Sequence, residues 1–207
     1  TGKVGFGAAG SDLAAGQRVH LDLSGDIRPL FEPAYHDFFG DQSRLVADGR
    51  RFADGRLELS ALDLRSRALS LSGQAAVGAD GLPRRLRADI ALGDTGGAPV
   101  LLPVPGAETT VTGADLHLTF DAAKGEGWSL DGTLAGFQRA DLSLGEVILD
   151  GSGRIAPDRA GGTVTLAIDG LQSGDAGLSE AVGDRIDGRV VFSWQRGGAL
   201  RFPVIVL

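Results

Sequence analysis

The segment Gly5-Phe6-Gly7-Ala8-Ala9-Gly10 has the spacing G-x-G-x-x-G, in which glycines let a tight turn approach a dinucleotide pyrophosphate. That chemistry needs a strand before the glycines, a helix after them and an acidic residue some twenty positions on. Only four residues precede Gly5, Ser11 to Gln17 contains Gly16 and no apolar helical stripe, and Asp26 sits inside a following strand pattern. The segment therefore reads as a glycine-rich turn. His20, His36 and His117 are far apart in sequence, and His20 and His117 fall on the polar phase of alternating segments, as solvated side chains do. Serines and acids are plentiful, but no nucleophile elbow organises them. Asp150, Asp158, Asp169 and Asp175 lie near glycines, as in calcium-binding β-rolls, yet without a nine-residue period, so they read as turn residues. Arg84, Arg85 and Arg87 form a basic cluster read as a solvated face and edge protection, with phospholipid headgroup contact as the lesser alternative. The chain has no Cys, which removes thiol nucleophiles, disulfides and Cys-ligated zinc and is compatible with an oxidising compartment. No catalytic, cofactor-binding or metal-binding set emerges, and the chain reads as a non-enzyme. A net charge of −7 and a pI near 4.9 argue against a general nucleic-acid binder.

The elements that must position any site are strands. In Val19-His20-Leu21-Asp22-Leu23 apolar and polar side chains alternate, and the same period recurs in 86–90, 116–120 and 164–168. Shorter runs follow it at 57–59, 69–71, 128–130, 142–144 and 200–204. Alternation describes a strand with one dry face and one wet face. Glycine, at 33 of 207 residues, punctuates these runs, and Asp-Gly occurs seven times, a dipeptide suited to two-residue hairpin turns. Not all seven fit turns: Leu130-Asp131-Gly132-Thr133-Leu134 keeps its phase through the glycine, which places Gly132 inside a strand. Phase breaks at Ala61/Leu62 and Leu144/Val147 mark bulges or further turns. Leu, Val, Ile and Phe make about 28% of the chain, above the roughly 20% below which disorder is favoured, so the chain folds. One repetitive β-rich segment over 1–207 is expected.

Two segments depart from the alternation. Across Pro29 to Gly40, Leu30, Phe31, Tyr35, Phe38 and Phe39 gather on one side of a short helix near 33–39, with Pro33 in its first turn and Gly40 as its cap. A weaker helical period covers 178–186. Two short helices cannot cover a sheet of nine or more strands. The dry faces must be hidden by closing a barrel, by folding over as a sandwich, or by curling into a partly open trough, and periodicity does not choose among these. Whether Trp128, Phe192 and Trp194 line a groove or fill an ordinary core stays equally open.

Residues 25–30 (GDIRPL), 33–40 (PAYHDFFG), 97–109 (GAPVLLPVPGAET), 114–123 and 127–132 resemble the TamB family of Gram-negative bacteria, and the resemblance spans most of residues 19–195. It implies an all-β fold: a long, mostly antiparallel meander curled into an open, taco-like groove with an aliphatic interior, plus one or two short helices. It implies a periplasmic segment of an inner-membrane-anchored protein that bridges the two membranes, guides phospholipid acyl chains and supports outer-membrane protein assembly. An Omp85-type outer-membrane barrel would be contacted through other parts of the full-length chain. On this view the sequence is an internal fragment, with the anchor elsewhere and its last residues inside the apolar run Phe202-Pro203-Val204-Ile205-Val206-Leu207. The groove lining is then expected to comprise Leu69, Leu71, Leu86, Ile90, Leu116, Leu118, Phe120, Leu130, Leu134, Leu142, Leu144, Val164, Leu166, Ile168, Val190, Phe192 and Trp194. Phe31, Tyr35, Phe38 and Phe39 are expected to dock as an end plug. A strand of ten residues spans roughly 33 Å, enough to bend around an acyl chain, and each methylene gains about 0.8 kcal/mol on leaving water. The rival readings are a structural or adhesive β-solenoid module of a secreted protein with no transport role, which needs parallel pairing, and a hydrolase on a β-sandwich.

Overall fold

The computed structural model describes residues 2–7, 16–174 and 185–206. Twelve strands form the main path of one sheet: β1 (Gly2–Gly7), β2 (Gln17–Gly25), β3 (Ser43–Arg51), β4 (Leu57–Arg65), β5 (Leu69–Val77), β6 (Pro83–Gly93), β9 (Gly113–Asp121), β10 (Gly127–Arg139), β11 (Leu142–Ala156), β12 (Arg159–Asp169), β14 (Arg185–Gln195) and β15 (Arg201–Val206). Each pairs with the next along the chain, and every ladder is antiparallel. Three short strands lie off this path: β7 (Val100–Leu101) pairs with β8 (Thr109–Val111), which pairs with β10, and β13 (Gln172–Ser173) pairs with β11. β1 and β15 do not pair, so the meander stays open, and the parallel pairing a β-solenoid needs is absent among the described residues.

All nine alternating runs lie in strands, Leu200 alone falling just before β15. The phase break at Ala61/Leu62 is a register shift between Leu59 and Leu62. The seven Asp-Gly pairs divide by role. Asp54-Gly55, Asp80-Gly81 and Asp169-Gly170 lie at strand ends with the glycine at positive φ, 77° at Gly81. Asp48-Gly49, Asp131-Gly132, Asp150-Gly151 and Asp187-Gly188 lie within strands. In these four the aspartate takes the polar face and the glycine the apolar one, by the alternation of the strand.

At Gly73 an added Cβ would meet the carbonyl of Arg87, and at Gly132 that of Asp115, each on the neighbouring strand. Adjacent backbones therefore approach closely at these two positions of the apolar face, where only glycine fits. The chain exposes 12868 Å², against about 9,100 Å² expected for a compact 21.3 kDa monomer. An excess of this sign accords with a sheet that has no covering layer among the described residues.

Three expectations are corrected. Gly5 to Gly7 lie in β1 rather than in a turn, and β1 runs antiparallel to β2, whereas a dinucleotide-binding unit is parallel. Arg84, Arg85 and Arg87 lie on β6, which is paired on both sides by β5 and β9, so they protect no edge. Leu30 is 80% exposed and anchors nothing. The helix expected at 178–186 falls largely outside the described residues, and Arg185 and Ile186 open β14.

Candidate functional site: the apolar face of the open sheet

Register carries one apolar file from strand to strand. Leu23, Leu45, Leu64, Leu71, Ile90, Leu116 and Gly132 are successive partners from β2 to β10. Gly132 pairs with Leu149, which leads through Leu166 to Gly188 on β14. Parallel files join Leu69, Leu92, Ala114 and Leu134 to Val147, Ile168 and Ile186, and Ala75, Leu86, Phe120 and Trp128 across the other half. Fifteen of the seventeen expected lining residues share this face: Leu69, Leu71, Leu86, Ile90, Leu116, Leu118, Phe120, Leu130, Leu134, Val164, Leu166, Ile168, Val190, Phe192 and Trp194. Most of the large ones are half-buried, shielded among the described residues by same-face neighbours rather than by a second layer. The substantial packing between elements is between ladder partners, apart from a cap at one end.

Leu142 and Leu144 lie beyond a break in the ladder. They pair with Arg139 and Phe137, on the even phase of β11, whereas Val147, Leu149 and Gly151 occupy the odd phase. The break falls where Gly136, at φ 59°, faces Gly145 and the ladder skips one pair. Residues the expectation omitted include Leu45, Leu57, Leu59, Leu62, Leu64, Leu92, Val147, Leu149 and Ile186. The alternation at 57–59 already marked two of them; Val147 and Leu149 are in phase only beyond the break.

The floor is shaped by Trp128. Its indole lies across β11 onto β12, where Nε1–H donates to the Gly161 carbonyl at 3.3 Å. A Cβ at Gly153 would stand 2.6 Å from that nitrogen, and one at Gly162 would enter the ring. These glycines leave a flat seat in which the indole reaches Phe192 of β14, centroids 5.8 Å apart. Trp128 is thus a buried part of the floor, and Phe192 and Trp194 remain half-buried beside it.

One end of the apolar face is capped. A 3-10 turn at Pro33–Tyr35 runs into α1 (His36–Phe39), which ends at Gly40 with φ 65°. Phe38 and Phe39 are buried with Ala68 and Val100, and Tyr35, Leu69, Leu92 and Leu102 pack around them. Leu69 and Leu92 are members of the apolar file, so the cap covers the file's end. Backbone N–H groups of Arg67 and Ala68 donate to the Phe39 and Phe38 carbonyls at 3.2 and 3.1 Å, fixing the helix end to the β4–β5 turn. Phe31 precedes the helix, 40% exposed, and stacks on Phe39 with centroids 3.9 Å apart. Of the four expected plug residues, two are buried, Tyr35 is half-buried and Phe31 lies outermost. The Pro-rich segment supplies Val100 and Leu102, a contribution its sequence did not disclose.

The opposite face is polar, and many of its charges are paired. Arg44 grips Asp22 through Nε and Nη2 at 3.1 and 2.8 Å, and His20 bonds Asp48 at 2.7 Å across β2 and β3. His117 bonds Asp89 across β9 and β6 in the same way. The Arg28 side chain and backbone N–H hold the Asp26 carboxyl at about 2, well below its ordinary 3.8. Backbone N–H groups of Arg56 and Leu82 likewise lower Asp54 and Asp80. Among the described residues no three His, Asp or Glu converge to hold a metal, and no helix is long and apolar enough to cross a membrane.

Comparison of the chain with protein-family models, with curated proteins and with solved structures finds no match.

Proposed function

We propose that this chain is a TamB-like periplasmic segment of an inner-membrane-anchored protein, and that its concave apolar face guides phospholipid acyl chains between the inner and outer membranes. The observation that carries the reading is a continuous apolar face from β2 to β14 with no second layer over it among the described residues. Apolar surface left uncovered over such a length marks a binding surface. An aliphatic wall binds each stretch of hydrocarbon about equally, so a chain slides along it without a deep trap. The α1 cap acts as a plug at one margin of the groove. Support for outer-membrane protein assembly, with an Omp85-type barrel as partner, belongs to the full-length protein of which this segment is a part.

The test places a photo-crosslinking residue at Leu116 or Leu166 on the apolar face and at His117 or Thr165 on the polar face. Labelled phospholipid is expected to crosslink from the first pair and not from the second, with phospholipid co-purifying from a Gram-negative host. Equal crosslinking from both faces, or purified chain free of lipid, rejects the proposal.

A further inference from the structure

At the strand ends opposite the α1 cap, the polar face carries an arginine-walled cavity of about 510 Å³. Register builds its floor: Arg154 of β11, Gly161 of β12, Ser193 of β14 and Arg201 of β15 are successive cross-strand partners. Three inter-strand steps separate the two arginines, about 14 Å. Between them stand a glycine and a serine, so the floor is low and two long side chains can close from either side. Arg159 lines the same cavity from the start of β12, and Glu126 is the one carboxylate among the lining residues.

The walls are laced together. The Arg196 N–H donates to the Asp158 carbonyl at 2.7 Å and its guanidinium to the Pro157 carbonyl at 2.9 Å, tying the β14–β15 turn to the β11–β12 turn. The Ile155 N–H donates to the Glu126 carbonyl at 2.8 Å, tying in the turn before β10. Several other arginines of this acidic chain are neutralised locally, Arg44 by Asp22, Arg65 by Asp63 and Arg84 by Asp80. Among the described residues Arg154, Arg159 and Arg201 form no ion pair. Three like charges held around one cavity repel, and an anion between them removes that cost. The forked guanidinium matches phosphate oxygens in pairs, and the Ser193 hydroxyl adds a donor at the floor.

We propose that this cavity is a phosphoryl-binding site held by Arg154, Arg159 and Arg201. Its arginines stand on the polar phase, while Gly153, Ala160 and Trp194 of the apolar phase reach it at the strand ends, so it adjoins the end of the groove; phosphate binding there does not require that the groove hold lipid. The shared chemistry is a phosphate ester, free in solution or on a lipid headgroup.

Calorimetric titration of the purified chain at low ionic strength uses inorganic phosphate and glycerol 3-phosphate. Co-sedimentation uses vesicles of phosphatidylglycerol, with phosphatidylcholine vesicles beside them. Binding is expected to weaken at least tenfold when Arg154→Gln, Arg159→Gln and Arg201→Gln are combined. Arg189→Gln, an exposed cation outside the cavity, is expected to change it less than twofold. Soluble probes that bind with this pattern identify a free phosphate ester; sedimentation with phosphatidylglycerol alone, in the same pattern, identifies the headgroup. No binding by any probe, or equal loss in the triple variant and Arg189→Gln, overturns the proposal. If the glutamine triple variant does not fold, lysine at the three positions keeps the charge and removes the fork; phosphate binding undiminished in that variant overturns it equally.

Discussion

Gly162 and Gly153 are the positions where a single methyl group decides the shape of the floor. A Cβ at Gly162 would occupy the Trp128 ring and press on the Ser152 carbonyl, and neither backbone nor seated indole has room to yield. Gly162→Ala is therefore expected to destabilise the chain by about 1–3 kcal/mol, the range for overpacking a filled site. Gly113→Ala is the matched control: its new Cβ meets only the Leu92 carbonyl at 3.7 Å, an ordinary contact, so its urea midpoint is expected to stay level or rise slightly. Equal destabilisation in the two variants refutes the crowding argument. Asp26 makes a prediction of a different kind. Its carboxyl titrates near 2 in the folded chain because Arg28 binds the charged form, against 3.8 without that partner. The folded state therefore binds fewer protons than the unfolded state between these values. The contribution of Asp26 is complete above pH 3.8, fades as pH falls towards about 2, and vanishes below. An NMR titration of the carboxyl carbon is expected to show a midpoint near 2, and the stability difference between wild type and Asp26→Asn is expected to disappear at the acid end. A midpoint near 3.8 refutes the Arg28 clamp.

At the scale of elements, α1 is too short to be stable by itself, and its existence rests on what it covers. Phe39→Ala removes a buried ring from the cap and is expected to cost about 3–5 kcal/mol, with faster amide exchange at Arg67 and Ala68, whose N–H groups the helix end accepts. Leu30→Ala, three residues before the second turn of the same segment, is expected to fall within about 0.5 kcal/mol of wild type because the side chain is exposed. The two were indistinguishable in sequence: both are apolar residues at helical spacing, and only the position of Leu69, Leu92 and Val100 separates an anchor from a bystander. The same limit governs the strands. Val19 to Leu23 or Leu116 to Phe120 announce themselves because alternation is a local property of the pleat. β3 does not, since Val46 points to the polar side and Gly49 has no side chain to mark its phase; its register is set by β2 and β4. The in-strand role of Asp-Gly was legible at Asp131-Gly132, where apolar residues flank it in phase. It was hidden at Asp48-Gly49, where the register against β4 shifts between the two residues. Leu142 and Leu144 alternate perfectly by themselves, but the break at Gly136 and Gly145 lies between them and the apolar file, and phase counted on one side of it does not carry to the other.

For the whole molecule, the decisive fact is an imbalance between its two faces. Away from the arginine-walled cavity the polar face pairs many of its charges, Arg with Asp and His with Asp, while among the described residues the apolar face has only its own neighbours and one cap to cover it. A ligand that supplies the missing cover binds the folded state alone, so it must raise the melting temperature by mass action, with about 2.7 kcal/mol gained at a hundredfold excess over Kd. If that cover is hydrocarbon, affinity has to follow chain length and not headgroup. Each added methylene contributes up to about 0.8 kcal/mol, or nearly fourfold in Kd, for as long as the new carbon still finds aliphatic wall. A series of lysophosphatidylcholines with eight, ten, twelve and fourteen carbons, kept below their critical micelle concentrations, is therefore expected to give a steady rise in melting temperature followed by a plateau. Replacing Leu116 and Leu166 together by Asn should flatten the rise without lowering the signal of a headgroup-only control. Stabilisation that ignores chain length would mean that these lipids do not enter the concave face, and would leave the apolar files as packing surface between β-strands alone.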